Sequence, residues 1–199
     1  LTGRIGRQRQ VEGSIVSVAS PAPDITEVTC RLGEAWRGHR AGQFAFVTFD
    51  RGEGAHPFTI ASADRGDRTV TFAIKALGDY TRGLAQRLHA GQPVRVEGPY
   101  GRFDFTRGDR HAQQIWIAGG IGITPFLAWL ESLRDRPELA VSADLHYCIR
   151  DREADPFVSR LEALCAAVPN VRLHVHASRQ GGALSAEDLA AAHADAKRA

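Results

Sequence analysis

Between Val11 and Glu97 the apolar positions of this chain alternate with polar ones over short runs: SIVSVAS, ITEVTCRL, QFAFVTF, PFTIAS, TVTFAIKAL and PVRVEG. A period of two marks a strand with one buried and one solvated face, and Gly, Pro, Asp and Arg punctuate the runs about every 10 to 15 residues. This rhythm predicts an antiparallel β-barrel or sandwich. One segment, TRGLAQRLH, breaks it. There Leu84, Ala85 and Leu88 have helical spacing, and Thr81 is placed to cap the start of a short helix.

After GPYGRFDFTRGDRHA the period changes. QQIWIA, SADLHYCI and VRLHVHAS read as short apolar strands, each followed by a segment with helical spacing: ITPFLAWLESLRD, DPFVSRLEALCAA and SAEDLAAAHADA. Strand and helix in alternation predict a parallel sheet built from right-handed crossovers. The expected division is therefore a β-barrel domain over residues 1–107 and an α/β domain over residues 108–199. No internal repeat or low-complexity segment stands out.

Composition narrows the function. At 199 residues and 43% hydrophobic content the chain can bury a core, and 25 Lys and Arg against 23 Asp and Glu leave a net charge of +2 without long charged runs. So balanced a charge argues against nucleic acid and points to a small-molecule partner. Cys30, Cys148 and Cys165 are far apart and form no CxxC pair, which signals neither a disulfide framework nor a zinc or iron–sulfur site, and suggests a reduced, cytoplasmic setting. No apolar run reaches the roughly 20 residues that span a bilayer. The chain opens at Leu1 and contains no methionine, so a piece of a longer protein is expected.

Three stretches carry candidate chemistry. IAGGIGITP sets Gly119, Gly120 and Gly122 between a strand and a helix, where bare backbone N–H groups and the helix dipole suit a pyrophosphate; tight packing explains such a turn as well. KALGDYTRGL offers Lys75, a turn at Gly78 and the hydroxyl of Thr81, again a phosphate seat or an ordinary capped helix. HPFTIAS begins a strand with His56 and Pro57. Alternation puts His56, Phe58 and Ile60 on one face and Pro57 and Thr59 on the other, and Pro57, which has no N–H, calls for a free strand edge beside which a flat heteroaromatic ligand could lie. The plain alternative is a core phenylalanine and a surface histidine. His174 and His176 share a strand face without a third ligand at metal spacing, and read as structural or exposed.

In this order and with these gaps, HPFTIAS, IKALGDYTRGL, VEGPYGRF, IAGGIGITPF and HYCIRD resemble the flavin and pyridine-nucleotide module of the ferredoxin–NADP reductase superfamily, in the form found in ferric reductases and NADPH oxidases. The resemblance covers nearly the whole chain. It implies an FAD-binding barrel followed by an NAD(P)H-binding α/β domain, and assigns residues to each. Phe58 would pack against the isoalloxazine and Thr59 would hydrogen-bond near its N5, which makes these two the residues nearest the chemistry. His56 would face the ribityl-phosphate portion, Pro57 completes that strand, and Lys75, Gly78 and Thr81 match the segment holding the FAD pyrophosphate. Gly119, Gly120, Gly122, Thr124 and Pro125 match the nicotinamide dinucleotide loop. Arg150, Ser178 and Arg179 match positions that bind the adenosine phosphate, favouring NADPH over NADH because guanidinium suits a 2′-phosphate.

The family continues with a strand bearing Cys-Gly-Pro that this sequence lacks, so the α/β domain is expected to be C-terminally truncated. The implied activity is transfer of a hydride from NADPH to FAD and of single electrons onward. In ferric reductases and NADPH oxidases the acceptor is haem in a preceding membrane domain of the same polypeptide, which would put this module at the inner face of a membrane. A soluble flavin reductase, or a regulatory module that binds nucleotide without turnover, remain the alternatives.

Overall fold

A computed structural model describes residues 9–50, 52–109 and 111–193. The chain divides into two compact units: residues up to Phe105 together with Thr124–Ser132, and Thr106–Ile123 together with the residues from Leu133 onward. The change of unit falls at Phe105, and one helix segment joins the first unit across the chain.

In the first unit, β1 (Gln10–Ala22), β2 (Ile25–Leu32), β3 (Phe44–Thr48), β4 (His56–Thr59), β5 (Thr69–Lys75) and β6 (Pro93–Tyr100) form a sheet in the order β4-β3-β6-β1-β2-β5, every pairing antiparallel. An isolated bridge between Ile60 and Phe72 ties the two ends of this order together, which closes the sheet into a barrel. Alternation decides the interior. Val28, Cys30, Ala45, Val47, Phe72 and Val96 all point inward and are wholly buried.

The helix expected after Thr81 is shorter than its spacing suggests and is not capped by that residue. Helix α1 spans Leu84–Arg87, and Gly83, at φ 66°, precedes it without any side-chain cap. The Thr81 hydroxyl instead accepts from the N–H of Leu77 (2.9 Å) and of Gly78 (3.1 Å) and donates to the Gly78 carbonyl. A short hydroxyl satisfies the nearest free amides, and here those lie upstream in the turn.

In the second unit, β7 (Gln114–Gly119), β8 (Ala143–Ile149) and β9 (Val171–Ala177) form a parallel sheet with β8 in the middle. Helix α2 (Thr124–Asp135) follows β7, α3 (Val158–Ala166) follows β8, and α4 (Ala186–Ala192) follows β9. The first nine residues of α2 belong to the first unit. There the Trp129 indole donates to the Ala41 carbonyl (3.1 Å), and the buried Glu131 carboxylate accepts from the Ala63 amide (3.1 Å) and from Arg65 (3.0 Å). Val158, Leu161 and Leu164 bury one stripe of α3, and a reciprocal capping box between Ser185 and Asp188 starts α4. Among the described residues no helix is long and apolar enough to cross a membrane.

Candidate active site

Strand β4 pairs with β3 on one side, Val47 opposite His56 and Ala45 opposite Phe58, while among the described residues its other side meets β5 just past its end, at the Ile60–Phe72 bridge. The edge along His56–Thr59 is therefore open, as a proline at its second position requires. Directly opposed residues share a face, so His56 and Phe58 lie on the side of buried Ala45 and Val47, and Pro57 and Thr59 on the side of Phe44 and Phe46. Phe58 rests on the core with Phe49 at 6.4 Å but stays half-buried, leaving aromatic surface for a ligand.

The turn after β5 reaches the same strand. Tyr80 stacks on His56 with ring centroids 3.7 Å apart and an interplanar angle of 13°, and His56 lies 6.5 Å from Phe58 in turn. The Arg87 guanidinium sits 5.7 Å from the Tyr80 ring, donates to the Tyr80 carbonyl and pairs with Glu53 at 3.0 Å. Tyr80 lies in a segment already marked by Gly78 and Thr81, yet only the fold reveals its ring as the link between the two stretches. Gly78 leaves open space where a Cβ would stand, so a phosphate can approach the turn closely, although the Gly78 amide itself donates to Thr81. Lys75 is less committed to this turn: its ammonium lies 3.5 Å from Asp24. Aromatic faces at an open strand edge beside an uncovered turn fit a flavin with a diphosphate tail.

In the second unit Gly119 closes β7, and a single turn of 3₁₀ helix over Gly120–Ile123 leads into α2. A Cβ built on Gly120 or Gly122 would meet nothing within 4 Å, and Gly120 has φ +47°. Backbone uncovered on this scale, just after a parallel strand, fits a pyrophosphate. Thr124, buried, and Pro125 begin α2, which counts with the first unit. At the carboxyl ends of the neighbouring strands the Arg179 amide donates to the Arg150 carbonyl (3.0 Å), which brings Arg150, Ser178 and Arg179 together. Arg179 also faces Asp151 at 3.5 Å, so part of its charge is already balanced.

The histidines are more organised than their sequence spacing indicates. Asp144 and His146 on β8 share a face with Arg172, His174 and His176 on β9, and His193 joins them from beyond α4. His146 Nδ1 lies 3.0 Å from His176 Nε2, and its Nε2 lies 3.0 Å from His193 Nε2. Asp144 accepts two hydrogen bonds from Arg172 (2.8 and 2.7 Å), one from His174 (2.8 Å) and one from Gln113 (2.8 Å). Burial opposes its charge, but these donors outweigh burial and hold the carboxyl at about 2. For His146, burial and then the surrounding imidazoles lower the pKa to about 4. The ring nitrogens pair with one another, and among the described residues no group of three or more His, Cys, Asp or Glu could hold a metal ion.

Residues 11–104 match the FAD-binding domain family. The chain is 37% identical over 102 residues to the vanillate O-demethylase oxidoreductase of Pseudomonas putida, an alignment covering 50% of this chain and 29% of that protein. It is 36% identical over 96 residues to the mitochondrial ferric reduction oxidase 8 of Arabidopsis thaliana, covering 42% of this chain and 13% of that one. The chain thus spans less than a third of the length of either relative. The crystal structure of a ferredoxin NADP+ reductase from Neisseria gonorrhoeae with bound FAD and NADP superposes with a TM-score of 0.69 at 22% identity, covering 86% of this chain and 69% of that one. Residues 11–104 thus carry an FAD-binding domain, and the two-part fold is like that of the ferredoxin NADP+ reductase.

Proposed function

We propose that this module takes a hydride from NADPH into FAD and passes electrons singly to an acceptor, as the reductase part of a ferric reductase-like protein. The observation that carries the reading is the open edge of β4, where His56 and Phe58 meet Tyr80 beside the uncovered turn at Gly78. Bound FAD supplies the exchange between two-electron and one-electron chemistry. Phe58 presents the aromatic surface for the isoalloxazine, with Thr59 next to it on the strand, and Gly78 and Thr81 shape the seat of the flavin diphosphate. Gly119, Gly120 and Gly122 receive the nucleotide pyrophosphate, with Thr124 and Pro125 opening the helix behind them. Arg150, Ser178 and Arg179 take the adenosine phosphate, with NADPH preferred to NADH although Asp151 offsets part of the charge of Arg179.

The ferric reductase reading takes haem of a membrane domain in the same polypeptide as acceptor, with this module on the cytoplasmic side; similarity to ferric reduction oxidase 8 supports only the ferric-reducing part of it. A second reading is a soluble flavin reductase; the vanillate O-demethylase oxidoreductase, an oxidoreductase not named for ferric reduction, aligns over more of the chain. The test is an anaerobic absorbance spectrum of the FAD-loaded protein before and after NADPH, then NADH. Bleaching with NADPH ahead of NADH is expected. Flavin that neither nucleotide reduces would leave only a regulatory nucleotide-binding role, and failure to bind FAD would overturn the assignment of His56–Thr59. Apolar helices encoded ahead of Leu1 separate the membrane reading from the soluble one.

A further inference from the structure

Tyr147, in the middle strand β8, is wholly buried, in register with Ala118 on β7 and Val175 on β9. A phenylalanine would fill that space, and a buried hydroxyl is costly unless it is used. Its single proton is shared between two acceptors, Asp155 Oδ2 at 2.9 Å and, more weakly, the Gly120 carbonyl oxygen at 3.2 Å. Asp155 is held in turn, because its other oxygen accepts from the Phe157 amide at 2.9 Å. Burial, reinforced by the Asp155 charge, raises the Tyr147 pKa far above its ordinary value, so the hydroxyl keeps its proton.

Through this one group three separate segments are fastened: the glycine-rich turn, the end of β8, and the stretch from Arg150 to Phe157. The turn needs such a tether, since nothing packs where side chains at Gly120 and Gly122 would stand. It also needs this orientation. A carbonyl drawn toward Tyr147 does not face an incoming anion, and a phosphate seat works only where amides rather than carbonyl oxygens line it.

We infer that Tyr147 and Asp155 are positioning residues for the nicotinamide dinucleotide, holding the Gly119–Ile123 turn in its receptive shape and at a fixed distance from Arg150. The inference rests on reading that turn as the pyrophosphate seat. Neither residue touches the nucleotide in this account, so the effect is on its binding and not on the rate of reduction once it is bound.

The test compares wild type with Tyr147→Phe, Asp155→Ala and Asp155→Asn in the FAD-loaded protein, by anaerobic stopped-flow reduction over a range of NADPH concentrations and by hydrogen exchange. Tyr147→Phe and Asp155→Ala are expected to raise the half-saturating NADPH about tenfold, the scale of one buried hydrogen bond, with the limiting reduction rate and the FAD content unchanged. Asp155→Asn, whose amide oxygen still accepts from the phenol, is expected to recover most of the affinity. Exchange at the amides of residues 120–123 should quicken in Tyr147→Phe ahead of the rest of the sheet. Unchanged affinity and unchanged exchange overturn the inference, as does a loss of FAD content and of exchange protection throughout the protein, which would make Tyr147 a general core residue. If wild-type flavin is not reduced by NADPH, the reading of the turn fails instead. The exchange result then still decides whether the tether exists.

Discussion

In the six-stranded sheet the inward side chains are Val28, Cys30, Ala45, Val47, Phe72 and Val96, whereas one face of the three-stranded sheet carries Asp144, His146, Arg172, His174 and His176. Apolar groups need only be removed from water, and they stabilise in any combination that fills the space. Buried polar groups each need a specific partner in a specific protonation state. The first unit therefore offers an open strand edge on an apolar base that most solution conditions leave alone. The second holds its strands with a network that pH can alter.

The largest effect should come from the apolar side. Phe72 is wholly buried and forms the bridge with Ile60 that closes the barrel, so Phe72→Ala should cost about 3 to 5 kcal/mol and release FAD. Urea unfolding followed by tryptophan fluorescence measures it. A cost below about 1 kcal/mol would break the contrast, since a cavity in a rigid core cannot be that cheap.

The next effect belongs to the polar face. Folding lowers the pKa of His146 from 6.5 to about 4, so folding favours the neutral ring: the stability it contributes is fully present above pH 6.5 and is lost as pH falls toward 4. His174, His176, His193 and Asp144 face it, and the imidazoles oppose its charging while Asp144, itself paired with Arg172, favours it. A loss on the order of 2 kcal/mol across this window is expected in the second unit. Because burial also lowers the pKa of His39 in the first unit, amide exchange must be read separately for β8–β9 and for β2–β5. His146→Leu should flatten the pH dependence of β8–β9 only, and equal flattening in both units would remove the distinction.

The smallest effect concerns the turn after β5, the proposed seat of the flavin diphosphate. Thr81→Val deprives the Leu77 and Gly78 amides of their acceptor, and should weaken FAD binding about fivefold with little change in global stability. Titration of apoprotein with FAD checks this. An unchanged affinity would mean that the turn is held by its backbone alone.

Much of the architecture is legible in the chain. Alternation in ITEVTCRL and TVTFAIKAL gives β2 and β5, the spacing in ITPFLAWLESLRD gives α2, and the proline in HPFT gives an edge strand, because each depends on a residue's own neighbours. The short helix is the instructive miss. Thr81 looks like its cap, but a hydroxyl bonds whichever free amide is nearest in space, and here those belong to Leu77 and Gly78.

By itself, then, the sequence determined the two periodicities, the glycine turns after β5 and β7, and the order of motifs that carries the resemblance, all of which are local properties carried along the chain. Only the tertiary structure decided that Tyr80 stacks on His56, that Tyr147 joins Gly120 to Asp155, and that His174, His176 and His193 gather around His146. Such meetings depend on strand order and register, and a period of two says which face a residue takes without saying which neighbour will share it.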